Sequence, residues 1–188
     1  VQENLLAAQV AGAPELDRLI AQYYDVRAGL GFNKTPAAYG ANPTDPYSHT
    51  PGHSGAQQPG MTGQVKEEIL TRFGELGVVV GGGRLSFRPA LLRAGEFTSA
   101  PGVFRTLAGG TEATHALPAG ALAFTFCGVP VVYRLSSGPA GMRLHGTDGP
   151  VRVITGTTLD ATASAEVFSR AGRITLLEVS LGEAYRPL

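Results

Sequence analysis

Apolar residues recur at helical spacing in roughly the first 75 positions of the chain and at strand-like spacing after them. Leu5, Leu6 and Val10 form a short stripe. Pro14-Glu15 then opens a stretch in which Leu16, Leu19, Ile20, Tyr23 and Tyr24 return every three or four residues, ending near Gly29-Leu30-Gly31. A further helix is expected from Thr62, placed as its N-cap, through Val65, Ile69, Leu70 and Phe73 to about Gly74. Its apolar face is narrow and needs a packing partner.

From residue 76 onward the runs are short and rich in Val, Ile, Phe and Tyr, with Gly or Pro between them: 76–80, 84–88, 121–127, 129–135, 151–155 and 174–181. Within 84–88 and 174–181 polarity alternates, so one face of each strand enters a core and the other meets water. A single helix interrupts them at 160–170, with Asp160 or Thr162 as its cap. The fold class that follows is mainly β with an N-terminal helical segment. Residues 1–75 form that segment around a long Gly/Pro/His loop, and residues 76–188 form an antiparallel β-sandwich or jelly-roll-like domain.

Charge narrows the partners. Fifteen basic and fifteen acidic residues balance, which argues against nucleic acid or an anionic membrane held by bulk electrostatics. No run approaches the ~20 apolar residues of a membrane-spanning helix. Lys34 and Lys66 are the only lysines, and with abundant Ala and Gly this composition suggests a GC-rich bacterial source. Cys127 stands alone, so an intrachain disulfide is excluded and a reducing, cytoplasmic compartment is slightly favoured. Its apolar surroundings predict a buried, inert thiol. The opening VQENLLAAQV has neither cap nor turn and reads as the interior of a longer polypeptide.

The chemistry concentrates in residues 39–72, a loop dense in Pro, Gly, His and Gln that runs into a helix. Long structureless loops inside compact domains are uncommon and usually functional or disordered. Tyr47, His49, His53, Gln57, Gln58 and Thr62 are the candidate substrate-binding residues. Side-chain amides pair donors with acceptors and match vicinal sugar hydroxyls, and the Gly60-Met61-Thr62-Gly63 turn would present free N–H groups at a helix start. His49 and His53 have HxxxH spacing, but Pro51 breaks the helix that would align them, so no metal site and no cofactor is expected. A metal would need further ligands such as Asp45 or His115. Gly81-Gly82-Gly83 and Asp148-Gly149 read as turns, and Glu96 and Glu178 as surface positions on strands. No GxSxG, P-loop or CxxC occurs, so no self-contained catalytic site is evident.

The order of these parts resembles the end of the catalytic barrel in six-hairpin (α/α) glycoside hydrolases and phosphorylases, the cellobiose-phosphorylase-like group being nearest. The resemblance rests on the helical hairpin, the long loop, the Thr62-Gly63 turn opening a helix that ends in Gly74-Glu75-Leu76-Gly77-Val78, and the phrase Gly83-Arg84-Leu85-Ser86-Phe87-Arg88-Pro89-Ala90-Leu91. It covers about residues 15–95. Where that group usually carries aromatic residues before Thr-Gly, this chain has Pro59-Gly60-Met61. The resemblance implies a C-terminal β domain following the last helices of an (α/α) barrel, a carbohydrate ligand reached through the parent protein, and the upstream barrel as partner. It also implies that the acid protonating the glycosidic oxygen lies upstream, leaving this part non-catalytic. Two alternatives stand beside it. One is a free-standing carbohydrate-binding β-sandwich module, which without tryptophan would stack sugars on Tyr39, Tyr47, Tyr133 or Tyr185; the other is a metal-dependent cupin-like enzyme using His49, His53 and His115.

Overall fold

A computed structural model describes Leu5 and residues 14–29, 65–108 and 111–188. The chain divides into two units, Val1–Glu75 and Leu76–Leu188. The first contains α1 (Leu16–Gly29) and α2 (Val65–Glu75). In it Tyr23 donates its hydroxyl to the buried Glu75 carboxylate at 2.9 Å, and Arg72 pairs with the other oxygen at 3.1 Å. Those two partners compensate a carboxylate that burial would otherwise penalise.

The second unit is β-rich. Its strands are β1 (Val78–Gly81), β2 (Arg84–Phe87), β3 (Gly102–Ala108), β4 (Thr111–Leu117), β5 (Ala121–Phe126), β6 (Val129–Arg134), β7 (Gly141–Gly146), β8 (Arg152–Thr155) and β9 (Ile174–Ser180), with α3 (Ala161–Phe168) before the last. β1–β2 and β3–β4 are two-stranded hairpins, and the main sheet runs β5-β6-β9-β7-β8. The wholly antiparallel arrangement expected from alternation does not hold, because β6 and β9 pair in parallel. Parallel neighbours need a crossover, and β7, β8 and α3 together provide it. β6 lies inside the sheet, and Pro130 is tolerated there because its pairing with β9 begins only at Val131.

Register assigns each face its task. Val131, Leu177 and Leu144 lie side by side, as do Tyr133, Val179 and Met142, and all six are essentially buried. β2 and α3 cover this face. Phe87 meets Tyr133 edge-on at 6.0 Å, and Ser164 of α3, fully buried, accepts from the Leu85 amide and donates to the Asp160 carbonyl. Asp160, rather than Thr162, caps α3 by accepting from the Ala163 amide at 2.7 Å. On the opposite face Ala121, Val132, Ala123 and Leu176 pack with Leu117 and Phe104 of the β3–β4 hairpin.

Turn chemistry follows local sequence. Gly82 and Gly83 both have positive φ and join β1 to β2 as expected. Cys127 departs from expectation: with Gly128 it forms the β5–β6 turn at φ 50° and is half-exposed instead of buried, because β5 ends at Phe126 and leaves Cys127 outside the strand. Glu96 lies in a short 3₁₀ turn, Ala94–Glu96, where its carboxylate accepts from the Arg93 amide, and not on a strand.

Gly77 has the least room. At φ 69° a Cβ there would stand 2.2 Å from the Arg88 carbonyl carbon, while the Gly77 carbonyl accepts from the Arg88 amide at 2.7 Å. Gly77→Ala should therefore cost about 3 kcal/mol or more in chemical denaturation, whereas Gly82→Ala, facing open space at φ 56°, should cost only about 1 kcal/mol. Equal losses at the two positions would contradict the close backbone approach.

Candidate functional site

Four ionisable side chains meet on the open half of the second sheet face, drawn from three adjacent strands. Glu178 stands on the central strand β9, with Arg143 of β7 directly opposite it. Arg134 of β6 and His145 of β7 are diagonal neighbours, opposite Ser180 and Leu176 respectively. One Glu178 oxygen accepts from the Arg134 guanidinium. The other lies 2.8 Å from His145 Nε2 and 3.6 Å from Arg143 Nε. A carboxylate only accepts, so His145 carries its hydrogen on Nε2.

Two guanidinium groups thus face one carboxylate, leaving excess positive charge at the surface. Glu178 is the deepest member, its side chain 13% exposed against 61% for Arg143. Arg134 Nε and Ser136 Oγ are buried atoms with no hydrogen-bond partner among the described residues. Both oxygens of Glu178 are already engaged by donors, which suits a clasp across β6, β9 and β7 better than a proton-transfer group.

Other acids of the β-rich unit have contacts of their own. Glu112 lies 3.7 Å from Arg105, Glu166 pairs with Arg152 across the β8–α3 edge, Asp160 caps α3, and Glu96 holds the Arg93 amide. None of these contacts brings together two carboxyl groups of the kind that flank a glycosidic bond. Among the described residues no group of three or more His, Cys, Asp or Glu is placed to hold a metal ion, and no helix is long and apolar enough to cross a membrane.

The residues singled out from sequence divide sharply. Tyr47, His49, His53, Gln57, Gln58 and Thr62 lie outside the described residues, as do Tyr39 and Asp45. His115 is on β4, its Nε2 3.1 Å from Thr106 Oγ1 across the hairpin. Tyr133 is fully buried and cannot stack on a sugar; Tyr185 is half-buried against Phe97. Reading the sequence placed Glu178 at the surface but overlooked Arg134, Arg143 and His145 around it. The available signal was the alternation in Gly141-Met142-Arg143-Leu144-His145-Gly146, which places Arg143 and His145 on one face and the buried Met142 and Leu144 on the other.

The Tyr133 hydroxyl, at the centre of the core, donates to the Leu76 carbonyl at 2.6 Å. Burial pushes this phenol well above the ordinary tyrosine range, with the nearby Tyr185 adding to the shift.

No family model matches the chain, and no curated protein sequence matches it.

Two predictions follow from these contacts. Glu178→Gln leaves Arg134, Arg143 and His145 facing one another without a counter-charge and should cost about 1–2 kcal/mol by urea denaturation, less at high salt. For Tyr133 the folded state holds the neutral phenol more tightly than the unfolded chain, which titrates near pH 10. That contribution is complete below pH ~10 and is lost as pH rises from there toward the folded-state value. Tyr133→Phe should cost about 1–2 kcal/mol at pH 7, by orphaning the Leu76 carbonyl, and should flatten the alkaline loss of stability. An unchanged alkaline limb would show that other groups cause it.

Proposed function

We propose that this chain is the C-terminal part of a carbohydrate-active protein of the six-hairpin (α/α) glycoside hydrolase and phosphorylase kind. In this reading α1, the loop and α2 complete an (α/α) barrel, and residues 76–188 are a sandwich-like β domain that stabilises it. The observation that carries the reading is the fate of the phrase from Gly83 to Leu91. Its apolar positions Leu85, Phe87 and Leu91 are fully buried, and Gly83 sits at φ 74° in the turn before β2. The phrase thus supplies the second strand of the first hairpin in the β-rich unit, and this supports the resemblance to a group in which it begins a C-terminal β domain.

The helical unit supports the same reading. On α2, Ile69 and Leu70 remain 50% and 68% exposed, an apolar face that further helices of a barrel would cover. In the intact protein the loop residues Tyr47, His49, His53, Gln57, Gln58 and Thr62 would border the sugar site, while the catalytic acid would come from elsewhere in the polypeptide.

Turnover of oligosaccharides and aryl glycosides, with and without inorganic phosphate, tests this. The intact polypeptide should process at least one substrate, and the 188 residues alone should process none. Activity in the isolated chain that disappears when one of its own carboxylates is replaced would overturn the proposal.

A further inference from the structure

The register of the main sheet leaves one bare position beside the Glu178 cluster. On the same face, Arg134, Ser180, Gly141 and Thr155 form a row across β6, β9, β7 and β8, next to the row that holds Glu178 and Arg143. Gly141 brings no side chain to that row. A Cβ there would come within 3.1 Å of the Ile154 carbonyl oxygen, so backbone packing keeps the position bare. Directly opposed residues lie about 5 Å apart across strands, and residues two apart lie about 7 Å along one. Ser180, Thr155 and Arg143 therefore border the bare spot, and Arg134 stands just beyond Ser180, its guanidinium reaching over to Glu178.

The donors around Gly141 are under-used. Arg143 makes no hydrogen bond among the described residues: its Nε stands 3.6 Å from Glu178, too far for one, and its side chain is 61% exposed. Arg134 gives one N–H to Glu178 and leaves its buried Nε without a partner. The Ser180 and Thr155 hydroxyls have no partner among the described residues either. Glu178 is the one acid in these two rows, and its oxygens are taken by Arg134 and His145. It offsets one guanidinium and leaves the other uncompensated. A buried donor without an acceptor, beside surplus positive charge, calls for an anion. A carboxylate accepts in one plane, whereas a phosphate group presents three oxygens and close to two negative charges, which suits donors arrayed on several sides of one point.

We infer that the sheet face over Gly141 binds a phosphate group, with the Arg143 guanidinium as its main partner, the Ser180 and Thr155 hydroxyls at its flanks and Arg134 adding charge. The clasp on Glu178 then has a second task, since Arg134 and His145 hold the carboxylate back from the anion. The inference stands independently of the carbohydrate reading above, and no covalent step is involved.

The test is an NMR titration of the ¹⁵N-labelled 188-residue chain with inorganic phosphate, methyl phosphate and acetate, at constant ionic strength balanced with chloride. Phosphate should give saturable shifts at the amides of Gly141, Arg143, Thr155 and Ser180 and at the Arg143 side-chain Nε–H, half complete at about 1–10 mM. Acetate should bind about fivefold more weakly or worse. Arg143→Gln, at an exposed position, should weaken phosphate binding about tenfold with the remaining spectrum intact, and Arg143→Lys should lose less because it keeps the charge without the planar fork. Thr155→Val, on the edge strand, should weaken it about threefold. Equal affinity for methyl phosphate points to a phosphate monoester, and a strong preference for inorganic phosphate points to the free ion; either result upholds the inference. It is overturned by shifts that do not saturate or that chloride alone reproduces, by undiminished binding in both Arg143→Gln and Thr155→Val, or by acetate binding as tightly as phosphate.

Discussion

The β-rich unit depends on the hydrogen bond from the Tyr133 hydroxyl to the Leu76 carbonyl. A phenol with no exposed surface must be satisfied internally, and the partner it finds is the Leu76 carbonyl, where the chain enters this unit. The bond therefore fixes the start of the β1–β2 hairpin over the middle of the main sheet. Neighbouring contacts exploit that position. Phe87 and Phe124 both meet the Tyr133 ring edge-on, the Leu85 amide reaches Ser164, and Ser86 accepts from Thr158. Gly77 is the residue that lets the backbone come this close, since any Cβ would collide with Arg88 and Pro89.

The two faces of the sheet are organised differently as a result. One is a continuous apolar layer sealed by β2 and α3. The other is divided along a single row of register partners, Ala123, Val132, Glu178, Arg143 and Val153. Its first members lie beneath the β3–β4 hairpin and are apolar; the next carry the ionic clasp, and Val153 at the edge strand is 79% exposed. Placing a carboxylate on the central strand among arginines on both neighbours ties three strands together across the parallel joint. Such a pairing adds specificity of register where a sheet face lacks a hydrophobic cover.

How much of this was legible in the sequence depended on whether one face of an element was uniformly apolar. The segments that became β1, β2, β5, β6, β8 and β9 were visible as β-branched runs, and α3 was visible with its cap. The strands Gly102–Ala108 and Thr111–Leu117 were missed, because the hairpin lies as a thin layer with apolar residues on both sides: Phe104 and Leu117 face the sheet, while Val103 and Leu107 face water. Gly141–Gly146 was missed because glycines bracket a strand whose alternation spans only four residues. Parallel pairing of β6 with β9 could not be read locally, since both strands carry the same apolar signal under either orientation. Among the candidate-site residues, Glu178 was noticed without its partners, which are distant in sequence and meet only through register.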